Sequence, residues 1–206
     1  MPGQWLKRIR KTGQLSVFNK ASGWTVPVEA ALKSFNSLAL GVQVVAETTE
    51  KSANIVVVAA NGPGAKYQYY GDTAETQPDF VGDRLHGQTT TFRDQKEPKE
   101  IFFAVVFLPG KLAKSTKNQK EMVVVHELLH ACGLDQWHDS VGLMFPDMKE
   151  EGGGLLEYLP EKGAKPMPPI RLGSQTVCRV KMLWTGADAC KDDQQSVVGC
   201  QLSGRT

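Results

Sequence analysis

Val123–Met148 reads VVVHELLHACGLDQWHDSVGLMFPDM, and the rest of the chain is arranged around it. His126, Glu127 and His130 form the pattern His-Glu-x-x-His. On a helix, residues four apart share a face, so both imidazoles can approach one metal ion while Glu127, beside the first, reaches a water on that ion. Val123, Val124, Val125, Leu128 and Leu129 make the helix apolar enough to be buried. Buried histidine and glutamate side chains without partners cost about 1–3 kcal/mol each, and a metal ion supplies the partners. With four His and twelve Glu in 206 residues, chance places this pattern somewhere with a probability of roughly 0.4 %.

Zinc suits these ligands. It takes neutral imidazole nitrogen readily, and a catalytic site keeps one position for water beside three protein ligands. The third ligand must come from beyond the helix, because Gly133 is placed as a C′ glycine whose positive φ ends the helix and turns the chain. His138, twelve residues after His126, is the nearby histidine in the returning loop. Asp135 is the alternative, as an oxygen ligand.

His126-Glu127-x-x-His130-x-x-Gly133, followed by a further histidine and then Gly142-Leu143-Met144-Phe145-Pro146, resembles the metzincin zinc peptidases, most closely their matrixin branch. The resemblance implies a tight turn beneath the metal, with Met144 as an apolar floor that does not bind it. It also implies an α+β fold of the metzincin type: a twisted, mostly parallel sheet with an antiparallel edge strand, a zinc-bearing helix, the Met-turn and a C-terminal helix. One departure stands out. The family's third histidine falls ten residues after the first, where this chain has Gln136. A loop two residues longer delivers His138 instead; some metzincins use aspartate, which keeps Asp135 open. The likeness spans about residues 13–186, and only the zinc and Met-turn stretch is specific.

The chain is 206 residues, 22.6 kDa and 41 % hydrophobic, enough for one core and one domain. The expected division is an N-terminal arm over 1–12, a peptidase domain over 13–186 and a polar tail over 187–206. A net charge of +2 and a pI of about 8.3 give no bulk electrostatic case for nucleic acid. The cluster Lys7, Arg8, Arg10 and Lys11 reads as a solvated arm. No apolar run is long enough to span a membrane, and Met1–Lys7 lacks the apolar segment of a secretory signal, although the family is commonly secreted. No inhibitory propeptide cysteine motif is visible, and no second His/Asp cluster or calcium loop is present. A monomer is expected.

In chain order, Leu15 to Phe18 reads as a strand, and Val28 to Ala39 as an amphipathic helix opened by Pro27 and ended by Gly41. Val42 to Ala46 and Ile55 to Ala60 read as strands. Asn61 to Glu100, rich in Gly, Pro, Asp and Tyr, reads mostly as loop, with Gly87 to Phe92 as an edge strand. In the resembled family that edge strand runs antiparallel to a bound peptide. His86, just before it, reads as a solvated surface residue. Ile101 to Leu108 is apolar enough for a central strand covered on both faces. Thr116 and Gln119 have capping-box spacing, which starts the zinc helix near Lys117 and runs it to Cys132. Lys149 to Gly154 matches, by the resemblance, the loop that shapes a substrate pocket. Lys165 to Pro169 is a stiff connector, and Ser174 is the expected N-cap of a last helix, Gln175 to Trp184. Cys132 and Cys178 are expected to be buried, and Cys190 with Cys200 could close a small disulfide loop.

These residues point to a metalloprotease, a hydrolase that acts on a polypeptide substrate. One Zn²⁺ on His126, His130 and His138 would lower the pKa of its water towards about 7 and polarise a scissile carbonyl. Glu127 would take the proton and pass it to the leaving amine. A gluzincin-type peptidase with Glu150 or Glu151 as third ligand, a zinc-bound but non-proteolytic module, and a zinc hydrolase of a non-protein amide are the rival readings.

Overall fold

The computed structural model describes residues 3–80, 82, 86–96, 100–111, 117–134, 170 and 172–186. Its core strand is β8 (Glu100–Pro109), whose residues from Phe103 onward are all buried. An unbroken run of Ile, Phe, Ala, Val and Leu has no polar face to offer water, so it is stable only between two covered faces. Along one edge it pairs in parallel with β4 (Ile55–Ala60), and β4 pairs in parallel with β2 (Gln14–Asn19). Next to β2, and also parallel, lies β3 (Gln43–Ala46). On the other side of β8, β7 (Gln88–Arg93) runs antiparallel, with a register shift at Phe92/Arg93, and among the described strands it pairs with β8 alone. The fold is therefore mixed helix and strand around a mostly parallel sheet with an antiparallel edge strand, as expected.

One face of the sheet carries the helices. In α2 (Thr25–Ser37), Val28, Ala31, Leu32 and Phe35 recur at helical spacing and are buried. It packs with α3 (Lys117–Leu129) in one apolar cluster, and Ser34 Oγ donates to Glu121 Oε1 at 2.5 Å between the two. The helix starts three residues earlier than expected and ends before Ala39, which has φ 50°, and Gly41, with φ 81°. A last helix, α4 (Ser174–Thr185), joins the same cluster through Val180, Leu183 and Trp184. Ser174 is not its N-cap. Gly173 holds that position, and no side chain caps the helix.

The other face shows the main fold correction. Within the stretch read as loop, β5 (Lys66–Tyr69) and β6 (Asp72–Glu75) form an antiparallel hairpin. Tyr69 pairs with Asp72, so the turn is Tyr70-Gly71, with φ 46° and 93°. Two positive φ values match the twist of a two-residue hairpin, but a tyrosine at the first position hides the signal that Asn-Gly gives. The hairpin covers a second cluster in which Tyr69 stacks on Phe103 at 3.6 Å, with Phe80 and Phe92 nearby.

The start of the chain is also more structured than a solvated arm. Gln4–Trp5 form a short strand, β1, parallel to the first residues of β8, and Trp5 is buried. Lys7–Arg10 then form a short helix, α1, in which Lys7 and Arg8 lie exposed, as does Lys11 after it. Cys132 is buried and free, as expected, and burial pushes its thiol pKa well up. Cys178 is half-exposed rather than buried and is disulfide-bonded. Thr116, the Lys165 to Pro169 connector, Cys190 and Cys200 lie outside the described residues. Among the described residues no helix is long and apolar enough to cross a membrane.

Candidate metal centre

The His-Glu-x-x-His segment straddles the end of α3. After Leu129 the helix widens into a π-turn, His130–Leu134, which Gly133 closes at φ 117°. The expected glycine terminator is thus in place. A Cβ at Gly133 would meet the Gly3 carbonyl oxygen at 2.2 Å, so the close approach of the N-terminal strand also requires glycine there.

A helix end leaves carbonyls without intrahelical partners. Three consecutive ones are satisfied here from distant parts of the chain. The Trp5 indole N–H donates to Ala131 O at 2.9 Å, Trp184 to Cys132 O at 3.0 Å, and the Gly3 N–H to Gly133 O at 2.9 Å. These bonds anchor the turn that carries His130.

Both histidines are buried, at 8 % and 7 % exposure, and their rings meet edge-on with centroids 4.8 Å apart. His126 Nε2 and His130 Nε2 lie 3.1 Å from each other. Two nitrogens bound tetrahedrally to one zinc at 2.0–2.1 Å would lie about 3.3 Å apart. The observed separation fits that arrangement closely, and the donor set suits zinc. Among the described residues no third His, Cys, Asp or Glu joins the pair to form a ligand group. His138, Asp135, Glu150, Glu151 and Met144 lie outside the described residues.

Glu127, carried by α3 and facing β7, is 3 % exposed. Thr89 Oγ1 donates to its Oε2 at 2.7 Å, and the Gly87 N–H also bonds the carboxylate. Burial raises its pKa to about 7, against the lowering pull of those two bonds. The two histidines, Glu127 and Thr89 line a cleft of about 130 Å³ together with Gln77, Asp79 and Phe80.

His86 lines the same cleft. It is half-buried, with its ring 4.9 Å from that of Phe80, and so is not the solvated surface residue expected. Sequence reading missed the roles of Gly87 and Thr89 as well. Their only signal was their place at the start of the edge strand. No protein-family model matches the chain, and a search of curated proteins finds no match.

Proposed function

We propose that the chain is a zinc-dependent endopeptidase of the metzincin type, with His126 and His130 as two ligands of one Zn²⁺ and Glu127 as general base. The observation that carries the reading is the 3.1 Å approach of the two Nε2 atoms beside a buried carboxylate that opens onto a cleft. His138 is the proposed third ligand, with Asp135 as its alternative. Zinc held there supplies Lewis acidity, polarising a carbonyl oxygen and acidifying water.

The chain's own groups do the rest. Glu127 takes one proton from the attacking water as the water oxygen bonds to the scissile carbon, and delivers it to the nitrogen as the C–N bond breaks. A polypeptide substrate is supported by β7, which leaves one edge unpaired among the described strands, so its main-chain groups could receive an extended peptide by strand addition.

Metal analysis combined with digestion of an unfolded generic protein tests the proposal. One zinc per chain is expected, with cleavage lost in Glu127→Gln while the zinc stays. Cleavage retained in that variant would refute the role of Glu127, and zinc without cleavage of any protein would favour the non-proteolytic module.

A further inference from the structure

We propose that Thr89 is a positioning residue for Glu127: its hydroxyl, working with the Gly87 main-chain N–H, fixes the carboxylate of the base from the edge strand. The inference rests on the peptidase reading of Glu127. Thr89 is itself buried, at 8 % exposure, and its Oγ1 lies 2.7 Å from Glu127 Oε2 and 3.1 Å from the Glu127 backbone oxygen. A bond to an ionised carboxylate is among the stronger hydrogen bonds. A carboxylate offers about four acceptor sites, so two bonds from β7 and its leading residue leave others for the proton of a water.

The strand is built to come this close. A Cβ on Gly87 would lie 2.5 Å from Glu127 Cγ and 2.9 Å from Oε1, so only glycine lets the main chain reach the carboxylate. β7 is also held from both faces. Along a strand, successive side chains point to opposite sides. Thr89 turns to α3, and Gln88 turns the other way, where its Oε1 accepts from the Gln77 N–H at 2.8 Å and its Nε2 donates to Glu75 O at 3.0 Å. The base is therefore tied, through one hydroxyl, to a strand fixed by the sheet on one edge and by the exit of the β5–β6 hairpin on one face. A carboxylate held only by its own rotamer would lack that alignment, and a misplacement of about 1 Å can cost on the order of 100-fold in rate.

Thr89→Val keeps the β-branched shape and loses the donor; Thr89→Ser keeps the donor. With zinc content and melting temperature followed in parallel, kcat is expected to fall about 10- to 100-fold in Thr89→Val with KM changed less than about twofold, and to recover in Thr89→Ser. A second measurement needs no turnover. In metal-free protein at alkaline pH, the shift in urea midpoint caused by Thr89→Val should shrink in a Glu127→Ala background, because the partner is gone. Equal shifts in both backgrounds, or a serine variant as slow as the valine one, would overturn the proposal. A native chain that cleaves nothing sinks the peptidase reading and the catalytic meaning of the contact. An active native chain with a fully active Thr89→Val sinks the positioning role alone.

Discussion

His126 Nε2 and His130 Nε2 face each other at 3.1 Å, close enough for both to bind one ion and too close for both to carry a proton on that nitrogen. Ion binding should therefore compete with protonation. Chelation is expected to lower the melting temperature, and zinc to restore it, with a gain of about 2.7 kcal/mol at a free concentration 100 times Kd. His126→Ala and His130→Ala should each abolish the response, and acidification should weaken zinc affinity, because only neutral imidazole is a ligand. Calorimetric scans with graded zinc check this, and a zinc response that survives His130→Ala would exclude the site.

Glu127 sets a pH dependence with a definite sign. Burial raises its pKa from 4.5 to about 7, so in metal-free protein the folded state holds a proton that the unfolded state has released between those values. The group's contribution is thus most favourable below about 4.5 and is lost as pH rises through about 7. Glu127→Gln removes the ionisation and should stabilise metal-free protein above pH 7 by on the order of 3 kcal/mol, with little gain at pH 4.5. Urea titrations of both proteins in chelator across that range would show the gap open, or show parallel curves and sink the assignment.

Gly87→Ala should be more damaging to turnover than to folding. The added Cβ would overlap Glu127 Cγ and Cδ, which can yield only by moving the carboxylate. Turnover is expected to fall by at least about 100-fold while zinc content stays near one. Steady-state kinetics with metal analysis decide it, and near-native kcat would mean that the carboxylate has room to move harmlessly.

Trp184→Phe deletes the donor to Cys132 O and leaves a buried carbonyl without that bond. A loss of about 1–3 kcal/mol is expected from chemical denaturation. Zinc affinity should drop with it, since the π-turn that carries His130 loses an anchor. Unchanged affinity would show that the ligand geometry does not depend on this cap.

The helix α3, the buried β8 and the amphipathic α2 were legible in sequence because each rests on a strong local signal: the His-Glu-x-x-His spacing in an apolar stretch, an unbroken apolar run and a 3.6-residue period. The edge strand was legible from its weak alternation and its place before β8. The β5–β6 hairpin was hidden by the Tyr70-Gly71 turn, which needs a positive φ from a tyrosine. Trp5 gave no sign of joining the sheet, since a two-residue strand has no period. Thr89, Gly87 and His86 were unreadable as site residues for another reason. Their meaning lies in a crossing between β7 and α3, and nothing local in Gly-Gln-Thr records which helix will lie beneath it.

The caps on Ala131 and Cys132 impose an order on biosynthesis. Trp5 leaves the ribosome before the helix whose end it caps, and that helix emerges with its terminal carbonyls still open. Only after Trp184 has cleared the exit tunnel can the second indole close on Cys132. The turn bearing His130 therefore reaches its final shape only after residue 184 has been made, so the setting of the two imidazoles waits on a segment more than fifty residues downstream of them.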